Sequence, residues 1–234
     1  MVFGIITAVA ACPAIIGTTE AIRHGQKNNN REEHRGRKYH LTVNLTRRSR
    51  YSAQFEGAEI VLKDNKLWID TRKDVLEDFW PATANYLEYP GRKDIWRRAG
   101  YAKGEGFVTT INAQRFLNWV YVDRHTHEVK YGVREAAEPH IVGPWDCTQM
   151  ERRLTFQGWE GFLAVQEEDG DEMWALYFDC EDDGLTGEDQ IGHRDKRMLE
   201  VEVCRKELKR DRDAAVNERA ERLEMREETG KTVT

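Results

Sequence analysis

Short segments with a two-residue hydrophobic period follow one another along the middle of this 234-residue chain, and most come in pairs separated by a polar turn. β-Branched and aromatic residues fit a half-buried strand, and a pair such as Asp64-Asn65 between two runs is typical of a hairpin. Strands joined by hairpins pair antiparallel, so we predict about nine or ten short antiparallel strands. The segments are YHLTVNL (39–45), AEIVLKDNKLWID (58–70), FVTTI (107–111), RFLNWVYVDRHTHEVKYGVR (115–134), WEGFLAVQEEDGDEMWALYFD (159–179) and MLEVEVC (198–204). The three longest of them are predicted to be hairpins that turn at Asp64-Asn65, at Arg124–Thr126 and at Asp169-Gly170.

The strand FLNWVYVD (116–123) is apolar or aromatic on both of its faces. Such a strand is covered on both sides, as in a sandwich or beneath another part of the chain. The chain is long enough to bury a core, and its 7 Trp, 8 Tyr and 8 Phe can fill one. We therefore predict a mainly β domain over residues 39–205, built as an antiparallel β-sandwich or a small barrel.

The first nineteen residues carry no charged side chain, although 33% of the whole chain is charged. Ile5, Val9 and Ile16 repeat at helical spacing, and Pro13 suits the first turn of a second helix. A signal peptide would begin with basic residues that this segment lacks. A membrane-spanning helix is disfavoured because glycine, proline and threonine interrupt the apolar run. We therefore predict an apolar helical N-terminal arm, followed by a basic polar linker, within residues 1–38.

The predicted arm needs a surface against which to bury its apolar residues. Residues 1–50 hold nine Lys or Arg and three Glu, so this region has a charge of +6 while the whole chain carries −6. An apolar arm beside basic residues can pack on its own domain, on a second copy or on an anionic membrane surface, and the sequence leaves these alternatives open. The predicted interface residues are Ile5, Val9, Ile15, Ile16 and Ile22.

Residues 206–234 have a helix-forming composition with charges on all sides. Pairs such as Glu218 and Arg222 lie four residues apart, a spacing that supports a solvated helix. We predict a charged C-terminal helix that frays into the final residues TGKTVT.

The net charge and the cysteine residues indicate which partners the protein binds and in which cellular compartment it lies. A net charge of −6 argues against a nucleic-acid binder, which is usually basic. Cys12, Cys147, Cys180 and Cys204 form no C-x-x-C pair and no zinc spacing. We therefore predict reduced thiols in a cytoplasmic protein, with a peripheral membrane location if the arm binds lipid.

Three long blocks of sequence are distinctive: GIITAVAACPAIIGTTEAIRHGQ (4–26), NWVYVDRHTHEVKYGVR (118–134) and PHIVGPWDCT (139–148). They resemble a group of uncharacterised proteins of filamentous ascomycete fungi, and the likeness covers most of the chain up to residue 204. The resemblance implies a fungal, intracellular protein. It implies no activity, so no catalytic residue is carried over.

The segment 75–103 combines six aromatic residues with five Lys or Arg. Rings and cations together suit single-stranded nucleic acid, but acidic residues within the segment dilute the positive field. A long loop that packs over the body or binds a small ligand is the alternative. We predict a loop here, with a ligand site between it and the Trp- and Tyr-rich strands. The predicted ligand-binding residues are Trp80, Trp96, Trp119, Tyr121, Trp174 and Tyr177.

The acidic stretch DCEDDGLTGEDQ (179–190) matches part of a calcium-binding loop. Asp179, Glu181 and Asp183 alternate and a glycine follows, as the first half of an EF-hand loop requires. The twelfth position holds Gln190 where a bidentate Glu is expected, and the preceding element is a predicted strand. Calcium on the three acidic residues is one interpretation, and an acidic turn without any cofactor is the other.

Three predicted strands end in a similar way: LWID (67–70), WVYVD (119–123) and WALYFD (174–179). Either each Asp starts the turn that follows an aromatic strand, or the chain contains a duplicated half-barrel.

No Ser, Cys or His falls in a recognisable nucleophile motif, and no glycine-rich phosphate loop is present. The sequence therefore favours a non-catalytic binding or assembly module that docks through its arm on a protein partner, a second copy or a membrane surface. The alternative is a small-ligand-binding β protein or an enzyme with its site at the segment 75–103. A deep pocket with convergent polar groups would favour the second function, and an exposed apolar stripe would favour the first.

Overall fold

The computed structural model describes residue 35 and residues 38–72, 79–111, 117–187 and 195–207. Three short helices lie within these ranges: α1 (Ser52–Phe55), α2 (Lys93–Arg98) and α3 (Arg134–Ala137). The strands are β1 (Tyr39–Leu45), β2 (Ala58–Lys63), β3 (Lys66–Asp70), β4 (Trp80–Pro81), β5 (Thr83–Leu87), β6 (Gly106–Thr110), β7 (Leu117–Val122), β8 (Val129–Gly132), β9 (Trp145–Cys147), β10 (Leu154–Phe156), β11 (Phe162–Gln166), β12 (Met173–Phe178) and β13 (Arg197–Glu207).

Six of the strands form a closed ring. β1 pairs with β13 and with β5, and β5 pairs with β6. A bridge between Glu105 and Trp145 joins the β6 side of the ring to β9. β9 pairs with β10, which lies against β13. Tyr39, Leu41 and Val43 alternate along β1 and point into the core that the ring encloses. The predicted antiparallel, mainly β architecture is confirmed, and its ring is a barrel rather than a sandwich.

Six further strands form three hairpins, β2–β3, β7–β8 and β11–β12. These hairpins also join one another. β3 pairs with β12 and, at Lys66, with β8, and a bridge connects Glu128 to Tyr177. The three hairpins therefore form a continuous cap beside the ring, and side chains near their turns meet at its centre.

The sequence predicts the position of each hairpin turn correctly. Asp64 and Asn65 have φ angles of 49° and 60°, the left-handed pair that a two-residue type I′ turn requires. Residues 124–126 form the second turn, and Gly170, with a φ of 85°, lies in the third. Local residue chemistry is sufficient to fix these three positions.

The prediction of one long loop over residues 75–103 is wrong for the part that the structure describes. Thr83–Leu87 is strand β5 of the ring, and Lys93–Arg98 is helix α2. The strand is difficult to recognise because only Ala84 and Tyr86 of its five residues are buried, while its outward positions include polar residues. β5 is stabilised by pairing with β1 on one side and β6 on the other, rather than by a hydrophobic pattern that marks it in the sequence.

The predicted N-terminal arm, apart from Arg35 and Lys38, and residues 208–234 of the predicted C-terminal helix lie outside the described residues. Lys206 and Glu207 continue β13, where the sequence predicts the start of that helix. They are opposite His40 and Tyr39 in the ladder with β1, and this pairing outweighs their helix propensity. Among the described residues, no helix has the length and apolar character needed to cross a bilayer.

Candidate functional site

A pocket of about 230 Å³ lies beside the ring, between the segment 101–104 and the hairpin β9–β10. Pockets for drug-sized ligands typically measure about 300–1,000 Å³, so this one suits a smaller molecule. Most of its side chains can form hydrogen bonds, and one wall carries an aromatic ring. The lining residues are Tyr101, Gly104, Pro144, Asp146, Cys147, Thr148, Gln149, Thr155 and Gly158.

Two glycines hold the walls of this pocket close together. A Cβ atom on Gly104 would lie 2.4 Å from the Cβ of Pro144, and one on Gly158 would lie 3.2 Å from the Tyr101 ring. Gly158 also has a φ of 90°, which residues with a side chain rarely adopt. The shape of the pocket therefore depends on both glycines.

Arg35 fixes the carboxylate that faces the pocket. Its guanidinium donates to Asp146 Oδ1 at 2.5 Å, to Glu105 Oε2 at 2.8 Å and to the Lys103 carbonyl at 2.7 Å. Burial works to lower the pKa of Arg35, but the bonds and charges of Asp146 and Glu105 outweigh it and raise that pKa above its ordinary value. The side chain stays charged, and it holds the Asp146 carboxylate in one orientation while it offsets part of the negative charge of Asp146 and Glu105.

A stack of rings and cations supports the back of the pocket. The Arg35 guanidinium lies 4.3 Å from the centre of the Tyr86 ring, and the Arg205 guanidinium lies 4.3 Å from the centre of the Tyr39 ring. The Tyr86 hydroxyl donates to the Asp146 carbonyl at 2.9 Å. Burial raises the pKa of Tyr39 and of Tyr86, so both phenols remain neutral. This layer ties β1, β5, β9 and β13 together behind Asp146.

A second polar cluster lies at the centre of the hairpin cap. Lys66 pairs with Glu128 and with Glu167, the latter at 2.9 Å. Lys130 pairs with Glu128 at 2.7 Å and with Asp123 at 2.8 Å. Each hairpin contributes at least one of these residues, so the network connects all three. We call these five residues the cap network.

Two carboxylates of the cap network, Glu128 and Asp123, are strongly stabilised in their charged form. Burial works to raise the pKa of Glu128, but the bonds from Lys130 and Lys66 outweigh it and hold that pKa at about 2. Asp123 has a pKa of about 2 as well, because Lys130 and two backbone N–H groups overcome the effect of its burial. The Tyr177 hydroxyl donates to Glu167 at 2.7 Å. The charged groups of the cap network bind one another rather than facing a ligand site. We therefore assign the network a structural role, in which it joins the three hairpins.

The structure brings together three of the six predicted ligand-binding residues. Trp96, Trp119 and Tyr121 pack in one cluster on the outside of the sheet with Tyr89 and Tyr101. The other three lie apart: Trp174 is in the core against Phe55, Tyr177 contacts the cap network, and Trp80 is 55% exposed at an edge strand. Neither group of three lines the pocket. Of the described residues 79–103, Tyr101 is the one that does.

The sequence reasoning missed Asp146, Gln149 and Thr155 as pocket residues. They lie in a stretch of chain without a recognisable strand period, and β9 and β10 have only three residues each. The one available signal was the distinctive block 139–148, which contains Asp146. The sequence also contains no sign that Arg35 anchors Asp146, because Arg35 is one of several charged residues in a polar segment.

The segments LWID, WVYVD and WALYFD each end in an Asp, and in the first two this Asp starts a turn. Asp70 accepts the N–H of Arg72 at 3.0 Å, and Asp123 accepts the N–H of His125 at 3.0 Å. LWID and WALYFD lie on β3 and β12, the second strands of their hairpins, whereas WVYVD lies on β7, the first strand of its own. LWID and WALYFD thus occupy equivalent positions in their hairpins, whereas the likeness of WVYVD to them reflects turn chemistry at its Asp.

The predicted calcium ligands do not converge in the acidic turn. Asp179 is buried and accepts the N–H groups of Asp183 and Gly184, whereas Glu181 is exposed and the Asp183 carboxylate faces Thr186. In the part of the chain that the structure describes, no group of three or more His, Cys, Asp or Glu is placed to hold a metal ion. Calcium on Asp179, Glu181 and Asp183 stays a prediction, and calorimetry with millimolar calcium on the wild type and Asp183→Asn tests it.

We expect Asp179→Ala to lower the free energy of unfolding by about 1–3 kcal/mol, because two backbone N–H groups of the turn lose their acceptor. Chemical denaturation measures the change. Glu181→Ala in the same turn is the matched control and should have almost no effect, since its side chain is exposed. Equal stabilities of the two variants would contradict this role of Asp179.

The predicted interface residues Ile5, Val9, Ile15, Ile16 and Ile22 all lie outside the described residues. The same holds for Cys12. Cys147, Cys180 and Cys204 are free thiols of intermediate exposure. Burial raises the pKa of Cys180 to about 11, which makes this thiol a poor nucleophile at neutral pH.

Comparison with known proteins gives one clear relation. No curated protein matches the chain, and no solved structure matches it. The family model described as a fungal β-trefoil domain matches residues 17–209, which is most of the chain and includes every described residue. A six-stranded ring with three attached hairpins is the architecture that this description names. The chain belongs to the fungal β-trefoil domain family.

Proposed function

We propose that this protein is a non-catalytic binding module that takes a small, neutral ligand rich in hydroxyl groups into the pocket between residues 101–104 and the hairpin β9–β10. The observation that carries the proposal is the lining of that pocket. Asp146 supplies acceptors, and Thr148, Gln149 and Thr155 supply both donors and acceptors. A ligand with several hydroxyl groups can satisfy such a set.

Charge and shape narrow the ligand class further. Arg35 pairs with both Asp146 and Glu105, so its one positive charge serves two carboxylates and none is left over to attract an anionic ligand. The Tyr101 ring and Pro144 provide an apolar surface beside the hydrogen-bonding groups. A ligand with one apolar face and a polar rim, such as a single sugar ring, combines both requirements.

We expect Gln149→Ala to weaken the binding of such a ligand by roughly threefold to tenfold, the cost of one hydrogen bond. The experiment titrates the wild-type protein with a panel of monosaccharides and follows backbone amide shifts by NMR. Met150→Ala is the matched control, because Met150 is the next residue, is 92% exposed and does not line the pocket.

The position of the shifting amides tests the proposal directly. Shifts at Thr148, Gln149 and Gly158 that weaken in Gln149→Ala and persist in Met150→Ala support it. Shifts confined to the cluster of Trp119 and Tyr121, or equal affinities of the two variants, contradict it.

The docking function expected of residues 1–23 is a second candidate. Its structural support is Arg35, whose three side-chain bonds hold the end of the basic linker on the body beside β5.

A further inference from the structure

Helix α2 and the residues around it form an exposed positive region on a protein whose net charge is −6. Residues 88–103 contain five Lys or Arg and two acidic residues, which gives this segment a charge of +3. All five cations are exposed, and they are Arg92, Lys93, Arg97, Arg98 and Lys103. We call these five residues the basic ridge.

The basic ridge is held firmly on the body of the protein. Trp96 alone among the six residues of α2 is buried. Its ring lies 6.4 Å from the centre of the Tyr89 ring, and a Cβ atom on Gly143 would lie 2.8 Å from it. Because this one side chain turns inward, the other side chains of the helix are presented to solvent from a fixed backbone.

The two acidic residues of the segment do little to neutralise the ridge. Glu88 accepts from Lys93 at 2.5 Å, and Asp94 lies 3.8 Å from Arg97. All four side chains of these pairs are more than half exposed, and exposed pairs contribute little to stability. Lys93 and Arg97 can therefore turn towards an external anion at small cost. Charges farther away than about 8 Å are largely screened at physiological ionic strength, so the local positive charge decides what this surface attracts.

An apolar side chain lies among the cations. Ile95 is 46% exposed, and its position in the helix places it on the same face as Arg92 and Arg98, which are three residues before and after it. Transfer of its exposed part from water to an apolar environment is favourable. An apolar residue with cations on both sides is typical of a helix that lies in a membrane interface.

The same segment is poorly suited to single-stranded nucleic acid. Proteins bind such strands with exposed aromatic rings, on which the bases stack. Tyr89 is 2% exposed and Trp96 is 7% exposed, so the rings nearest to the basic ridge face the protein interior. Ile95, which is exposed in their place, offers no ring for stacking.

We propose that the basic ridge and Ile95 bind the surface of a membrane that contains anionic lipids. The cations contact the phosphate and carboxylate groups of the lipids, and Ile95 enters the boundary between headgroups and acyl chains. Each cation close to an anionic membrane surface strengthens binding by roughly fivefold. This contact is independent of the ligand proposed for the pocket, because none of these residues lines it.

Sedimentation of the full chain with vesicles of phosphatidylcholine and phosphatidylserine tests the proposal. The double variant Arg97→Ser, Arg98→Ser should bind at least tenfold more weakly than the wild type, because two cations are lost. The matched control is Arg47→Ser, Arg48→Ser, since this pair is also adjacent and exposed and its loss changes the net charge equally. Ile95→Ser should weaken binding by roughly threefold to tenfold without any change in charge.

Weaker binding in the Arg97, Arg98 and Ile95 variants, with wild-type affinity in the control pair, supports the proposal. It is overturned if the wild type does not sediment with these vesicles or sediments equally with phosphatidylcholine alone. Equal effects of the two arginine pairs, or no effect of Ile95→Ser, also overturn it. Binding of a single-stranded oligonucleotide that needs Arg97 and Arg98 but not Ile95 overturns it in favour of nucleic acid. Unchanged unfolding midpoints confirm that the variants are folded.

Discussion

Glu128→Gln is expected to lower the free energy of unfolding at pH 7 by about 3 kcal/mol. Glu128 is 8% exposed and accepts charge-assisted bonds from both Lys66 and Lys130. The substitution keeps the size of the side chain and removes its charge, so both lysines lose part of their compensation in the centre of the cap. Denaturation with urea at pH 7 measures the difference.

The pH dependence of this effect has a definite sign. The pKa of Glu128 is lowered in the folded protein from its ordinary value of 4.5 to about 2, so its contribution is fully present above about pH 4.5 and is lost as the pH falls towards 2. The stability difference between wild type and Glu128→Gln should therefore shrink between these values. Glu168→Gln, at an exposed position, is the control. A difference that is absent at pH 7, or unchanged near pH 2, would show that the charge of Glu128 does not stabilise the cap.

Arg35→Ala is expected to lower the free energy of unfolding by about 2–4 kcal/mol, since it leaves the carboxylates of Glu105 and Asp146 without their common partner. Arg35→Lys should recover only a small part of this loss, because an ammonium group cannot reproduce the planar fork that contacts three acceptors. The same variants should weaken ligand binding in the pocket, where Arg35 orients Asp146.

Thermal and chemical unfolding measure these changes. Arg47→Ala is the matched control: Arg47 contacts Glu200 only at 3.7 Å, and its side chain is 86% exposed, so its loss should change stability by less than about 0.5 kcal/mol. An Arg35→Ala variant as stable as Arg47→Ala would contradict the anchoring role of Arg35. If Arg35→Ala is destabilised but binds ligand as well as the wild type, Arg35 stabilises the fold without contributing to the ligand site.

Much of the architecture could be predicted from the sequence because it depends on neighbours along the chain. The alternation in YHLTVNL, the left-handed turn at Asp64-Asn65 and the glycine turn at Gly170 each arise from a few adjacent residues. A run of such hairpins specifies an antiparallel β protein. The same local reasoning failed at β5, where only two inward side chains mark the strand, and at Lys206, where cross-strand pairing overrides helix propensity.

The candidate site could not be predicted in the same way. Tyr101, Asp146 and Thr155 approach one another only because the ring brings β9 and β10 next to the segment before β6, and no spacing in the sequence encodes that meeting. The cap network has the same origin, since Lys66, Glu128 and Glu167 come from three different hairpins. The sequence by itself determined the hairpins and their turns, since these depend on local conformational preference. Only the tertiary structure decided which polar groups share a pocket or a buried network, because contacts between distant residues depend on how the ring closes.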